Sequence, residues 1–188
     1  MDEPERAAIS ALREGDIRGL ETLVSLYQLR ALRTAYGILG DRHAAEDVVA
    51  DAFIAVYEHI GQFDDKRPFA PWFYRIVVNG ALKAARPARR TSPMADLDAD
   101  WLEEQADASP GPEEQAALRE LRFLLLGAIY ALPPRQRAAL VLRYYLDMDE
   151  AAIAATLKCP VGTVKWRLHA AKKQLRQSLM FEFEGSKV

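Results

Sequence analysis

Apolar residues in this chain recur at helical spacing, and strand-like alternation is nearly absent. The pattern predicts a first helix over 4–13, stopped by Gly15. Asp16 is placed to cap a second, long helix that ends near Gly40. Asp41 caps a third over 42–60, stopped by Gly61. A loop over 62–68 leads into a fourth helix over 69–86, followed by Pro87. Periodicity then lapses over 91–112, apart from a short turn at 98–105 carrying Trp101 and Leu102. It resumes in helices over 113–131 and 135–146, the latter opened by Pro133-Pro134. A short apolar helix, 149–157, and a longer basic one, 161–179, close the pattern. The expected class is all-α: two small helical domains joined by a linker.

The last two helices have the layout of a helix-turn-helix whose second helix enters a DNA major groove. With Val164 at zero on the helical wheel, Leu168, Ala171 and Leu175 fall within about 40° of it. Lys165, His169, Lys172, Lys173 and Arg176 cluster between about 80° and 180°. One face is built for a core and the adjoining face for phosphates. No acid stands between Lys158 and Phe181 to neutralise the positive face. Pro160 suits a helix start, and Gly162 with Thr163 keeps the first turn small. A solvated basic helix on an ordinary bundle has the same pattern, so the helix alone does not decide its role.

Charge changes the picture more than composition does. The chain carries a net −2, yet the segment 91–114 holds eight acids and no Lys or Arg, so the remainder carries +6. The linker is therefore acidic, and the nucleic-acid signal is local. The single Cys159 excludes an intrachain disulfide framework and a multi-cysteine zinc site, and suits a small buried hydrophobe in the turn. His43, His59 and His169 lie far apart without ligand spacing, so no metal or cofactor is expected. No signal peptide and no membrane-spanning apolar run is evident, which points to a soluble cytoplasmic protein without membrane insertion. No phosphate loop or nucleophile motif suggests an enzyme.

Two faces of the first domain carry further chemistry. On the third helix Val48, Val49, Ala52, Phe53 and Val56 form a buried stripe, with Asp47, Asp51 and Glu58 opposite. The acids are either a docking ridge for a basic partner or a solvated face. On the fourth helix Arg75, Asn79, Lys83 and Arg86 make a polar and basic ridge among aromatics. Rings and cations together suit single-stranded nucleic acid, although Trp72 reads mainly as core. Asn79, beside the loop, can hydrogen-bond a base edge.

In order and spacing the chain resembles the extracytoplasmic-function sigma factors of bacterial RNA polymerase. The motifs are Leu39-Gly40-Asp41, then Ala45-Glu46-Asp47-Val48-Val49 and Phe53. Next come Trp72-Phe73-Tyr74-Arg75-Ile76-Val77-Val78-Asn79 and Leu132-Pro133. Ile153-Ala154 and Pro160-Val161-Gly162-Thr163-Val164-Lys165 complete the set, which spans about residues 10–178. The resemblance implies a sigma region 2 domain over 1–90, an acidic linker over 91–112 and a sigma region 4 domain over 113–188. Region 2 would dock core RNA polymerase through Asp47, Val48 and Asp51. It would capture a flipped minus-ten base with Phe63, Asp64, Lys66, Arg67, Arg75, Asn79, Lys83 and Arg86. Region 4 would hold the minus-thirty-five duplex through Thr163, Lys165, Trp166, Arg167, His169, Lys172 and Arg176. The linker would follow the RNA path, as a nucleic-acid mimic or a passive tether. Implied partners are core polymerase, promoter DNA and an anti-sigma factor.

The chain also departs from the family pattern. Ala50 stands where Gln is frequent, Lys83 where Asp is, and Ala152 where Glu is. Trp166 replaces a common Ser and Ala170 a common Arg, so promoter preference cannot be copied from relatives. Two other readings remain open at this level. One is a sigma mimic that sequesters an anti-sigma factor, which would not need the basic face. The other is a stand-alone helix-turn-helix regulator, which would leave Asp47, Asp51 and the Asn79 loop idle.

Overall fold

The computed structural model describes residues 3–85 and 112–185, and within them every regular element is helical. The expected linker over 91–112 lies almost wholly outside the described residues. The first domain comprises α1 (Glu3–Arg13), α2 (Arg18–Leu39), α3 (Arg42–His59) and α4 (Phe69–Ala84), with a single 3-10 turn, Ile60–Gln62, after α3. The second comprises α5 (Pro112–Tyr130), α6 (Pro134–Leu140), α7 (Glu150–Thr156) and α8 (Val161–Gly185). A wide π-type turn, Val141–Tyr145, continues α6.

Local chemistry sets these ends. Asp41 accepts the Ala44 N–H at 2.9 Å and starts α3. Asp149 does the same for α7 through the Ala152 N–H at 2.7 Å. Asp16 acts one residue further out than expected. Ile17 is the capping position of α2, and the Asp16 carboxylate accepts the Arg18 N–H at 3.0 Å while pairing with the Arg18 guanidinium. Gly40 ends α2 in the left-handed conformation, φ 71°.

α2 is the axis of the first domain and packs against α1, α3 and α4. All five residues of the predicted α3 stripe are buried. They meet Phe73, Tyr74, Val77 and Val78 of α4, also buried. Phe63, Phe69, Phe73 and Trp72 form a connected aromatic cluster beneath the loop that precedes α4. Among the described residues one acid is buried, Glu5, and it accepts a 2.6 Å hydrogen bond from the Tyr27 hydroxyl. In the second domain Val164, Leu168 and Ala171 pack with Leu142, Leu146 and Ile153 in the same core.

The two domains share one continuous apolar core, and α2 and α4 both meet the second domain. Tyr130, at the end of α5, lays its ring on the end of α2 and donates a hydrogen bond of 3.3 Å to the Tyr36 carbonyl. Its ring meets Tyr36 edge-on at 6.2 Å. Burial pushes the Tyr130 hydroxyl pKa upward, keeping it a donor. Arg137 crosses over the same ring at 5.6 Å and donates to the Tyr130 and Leu132 carbonyls. Farther along α2, Arg30 reaches the Tyr145 carbonyl at 3.3 Å, and Val141 rests against Gly37.

Gly40 is doubly required at this seat. Its φ is positive, and a Cβ there would lie 2.9 Å from the Tyr130 ring. Gly40→Ala is expected to destabilise the protein by about 1–3 kcal/mol. Gly61→Ala, where the space is open and φ is not positive, should stay within about 0.5 kcal/mol of the parent. Denaturant unfolding of both variants checks this; equal midpoints would show that the seat tolerates a side chain.

Candidate functional site

The loop between α3 and α4 is a built turn. Asp64 accepts the Lys66 N–H at 3.1 Å and pairs with the Arg67 guanidinium at 3.3 Å. Arg13 of α1 ties the loop from beneath. Its guanidinium donates to the Phe63 carbonyl and pairs with Asp65 at 3.1 Å. The sequence reading missed Arg13, because its partners lie some fifty positions away. Asp64, Lys66 and Arg67 are exposed, as are Arg75, Asn79 and Lys83 along α4. Arg86 lies outside the described residues. Phe63 departs from expectation: it is only 3% exposed and packs on Phe69 and Trp72. It supports the loop from below and is not displayed with the polar residues.

Beside this loop lies a cleft of ≈390 Å³. Phe63, Arg67, Trp72 and Arg75 line one side, and Ala152, Ala155 and Thr156 of α7 line the other. An aromatic floor with cations at the rim suits a nucleobase and its phosphate. The far wall belongs to the second domain, which sequence reasoning had no means of anticipating.

The acidic ridge of α3 is exposed at Asp47, Asp51 and Glu58. Val48 is not part of it. At 8% exposure it belongs to the core and lies against Gly80 of α4. Its only outward role is as floor of a shallow groove between α3 and α4, lined also by Asp51 and Lys83. Ile54 completes the ridge instead, standing 54% exposed at i+7 from Asp47. That spacing was readable in the sequence; its exposure was not.

On α8, Lys165, Trp166, His169, Lys172 and Arg176 are exposed on the outer surface, and Thr163 is half-buried. Lys165 pairs with Glu150 at 3.5 Å, so a phosphate would have to compete with that carboxylate. Trp166 is 62% exposed, which places it on the outer face and not against a neighbouring helix. Arg167 departs from expectation. It is 9% exposed and its guanidinium lies 3.3 Å from the Cys159 Sγ in the turn. Its wheel position, about 60° from Val164, puts it beside the core stripe. Cys159 is thus half-buried with a polar neighbour, beyond the simple apolar role expected of it. The turn itself uses a left-handed Lys158, φ 48°, and a Cys159 N–H to Ala154 carbonyl bond of 3.1 Å.

Comparison with known proteins decides the family. Sigma-70 region 2 matches residues 23–91, and Sigma-70, region 4 matches residues 122–175. The ECF RNA polymerase sigma factor SigW of Bacillus subtilis is 32% identical over 180 residues, covering 91% of this chain and 94% of its own. The chain belongs to the extracytoplasmic-function sigma factors. The ECF RNA polymerase sigma-E factor of Escherichia coli K12 is also 32% identical, over 91% of this chain and 92% of its own. The RNA polymerase sigma-H factor of Pseudomonas aeruginosa is 31% identical over 94% of each chain. CnrH, solved in complex with the cytosolic domain of CnrY, shares the fold with a TM-score of 0.66 at 22% identity, over 94% of this chain and 97% of its own. The Bartonella quintana sigma factor RpoE, solved with the anti-sigma factor NepR, gives 0.58 at 24% identity, over 85% of this chain and 94% of its own.

This sigma factor therefore directs transcription initiation through RNA polymerase and is not an enzyme. Its helix-turn-helix is the DNA-binding region 4. Among the described residues no helix is long and apolar enough to cross a membrane.

Arg13 gives a test of the sigma factor's loop. In Arg13→Ala the amides of Lys66 and Arg67, both bonded to Asp64, should exchange with deuterium roughly tenfold faster. The amides inside α3 should hold their rates. Unchanged loop exchange would show that Asp64 alone holds the turn.

Proposed function

We propose that the sigma factor makes two separate DNA contacts and one polymerase contact, each assigned to residues of this chain. The observation that carries this reading is the separation of two chemistries on two faces: an aromatic surface with a cationic rim at the loop before α4, and an outward basic face on α8. The first suits an unpaired base and the second suits duplex phosphates.

In region 2, Asp64, Lys66 and Arg67 present polar groups from a pre-folded turn, and Arg75, Asn79 and Lys83 continue them along α4. Extruding a base costs a few kcal/mol, and the cleft and its cations offset that cost. In the packed form α7 occupies one side of the cleft. A base or strand entering there takes the place of Ala152, Ala155 and Thr156, so promoter opening separates the two domains. In region 4, Lys165, His169, Lys172 and Arg176 hold phosphates, while Thr163 and Trp166 stand at the reading end of α8. The Asp47–Asp51–Ile54 ridge fits a polymerase surface that is basic with an apolar spot at its centre.

Domain limits of 1–90 and 113–188, with the acidic segment 91–112 between them, fit the two region matches. Work on promoters by a polymerase subunit places the protein in the cytoplasm. CnrH was solved with the cytosolic domain of CnrY, and RpoE with the anti-sigma factor NepR. We extend this to a regulator of the same kind here, held against both domains.

One reconstitution tests the assignment. Core polymerase plus the purified chain should start transcripts at discrete sites on genomic DNA, where core alone does not. The double variant Asp47→Lys/Asp51→Lys should weaken core binding roughly tenfold or more. Its affinity for isolated upstream duplex should be unaffected. Undiminished core binding would return the ridge to a solvated face.

A further inference from the structure

Tyr144 is a large aromatic with no place in the core. The buried stripe of α6 and its π-type continuation runs through Ala138, Ala139, Leu142 and Leu146. Tyr144 is not part of that stripe and is 60% exposed. It is not idle on the surface, however. The Lys172 ammonium of α8 sits 5.3 Å from the centroid of its ring. Lys172 belongs to the acid-free face that carries Lys165, His169 and Arg176.

We propose that Tyr144 and Lys172 form one phosphate-gripping pair at the edge of the duplex-reading face, with the Tyr144 hydroxyl donating to a backbone phosphate. The proposal rests on the reading of α8 as the duplex-binding helix and adds a residue from outside that helix.

Three considerations give the pair this chemistry. A cation over a ring keeps its full charge, so Lys172 still attracts a phosphate while the ring restricts its motion. The phenol supplies an O–H donor, a group that commonly binds phosphate oxygens. The segment is also held in place: Arg143 donates to the Met148 carbonyl at 3.0 Å, and the chain turns through a left-handed Asp147, φ 52°. Position separates this role from base reading. The first residues of a recognition helix meet base edges. Lys172 lies seven residues beyond Lys165, about 10 Å along the axis, where a helix leaving the groove passes the backbone. Of the acids on the turn after Tyr144, Glu150 pairs with Lys165 and Asp149 caps α7.

The test uses the reconstituted holoenzyme on a promoter fragment at which it initiates. Single phosphates across the upstream element are replaced in turn by neutral methylphosphonates. Tyr144→Phe keeps the ring and its cation contact and removes only the hydroxyl, so the fold is retained; an unchanged thermal midpoint verifies this. The wild-type holoenzyme should lose about three- to tenfold in affinity at each phosphate it grips. Tyr144→Phe should lose a comparable factor on unmodified DNA and be insensitive at one of those positions only. Lys172→Ala should become insensitive at the same or the adjacent phosphate. A Tyr144→Phe profile identical to wild type overturns the pair, as does a uniform weakening with no position lost, which would place Tyr144 against polymerase. If wild type has no sensitive upstream phosphate, the duplex reading of α8 itself fails, and that result is distinguishable from the others.

Discussion

The apolar seam in which α2 and α4 meet α6 and α7 sets the relation of the two domains, and the seating of Tyr130 on the left-handed end of α2 is its most specific contact. That contact joins residues nearly a hundred positions apart through one ring, one hydrogen bond to the Tyr36 carbonyl and the absent Cβ of Gly40. With that seat filled, Val141 comes down on Gly37, Tyr145 meets Arg30, and α7 closes over the cleft beside the loop before α4. One apolar core then runs through both domains. The same packing puts α7 of the helix-turn-helix against the loop before α4.

Charge explains how so nearly neutral a chain binds a polyanion. Eight acids are gathered in the segment 91–114, and α8 carries none from Val161 to Phe181. Where an acid does approach the outward face of α8, it is held: Glu150 pairs with Lys165. The acids on α3 face a different direction and suit a protein surface. Segregation of this kind lets one small chain present a basic face on α8 and an acidic one on α3 without the two cancelling.

Much of the fold was legible because helical period and caps are local. The stripe from Val48 to Val56, the face from Val164 to Ala171, and the Asp41 cap needed only spacing and residue type. Two candidate site residues show where this stops. Phe63 is an apolar residue next to polar ones that the site needs, and tertiary packing drew it inward, whereas Val48 is buried as its place in the stripe requires. Arg167 looked like one more cation on a basic helix, but its wheel position beside Val164 already put it near the core, and Cys159 receives it there. Arg13, Ile54 and the α7 wall of the cleft were not legible for a different reason. Each depends on partners distant in sequence or on an exposure set by assembly of the whole.

The central claim is that one subunit holds duplex with α8 while region 2 takes a base from the opened strand. Permanganate oxidation of unpaired thymines, combined with nuclease footprinting on the same holoenzyme–promoter complex, tests this most directly. The account predicts reactive thymines near the start site together with protection about two helical turns upstream. It also predicts that Lys165→Ala/Lys172→Ala removes the protection and, through it, reduces opening. Upstream protection over fully paired DNA, or opening indifferent to those two lysines, would contradict it.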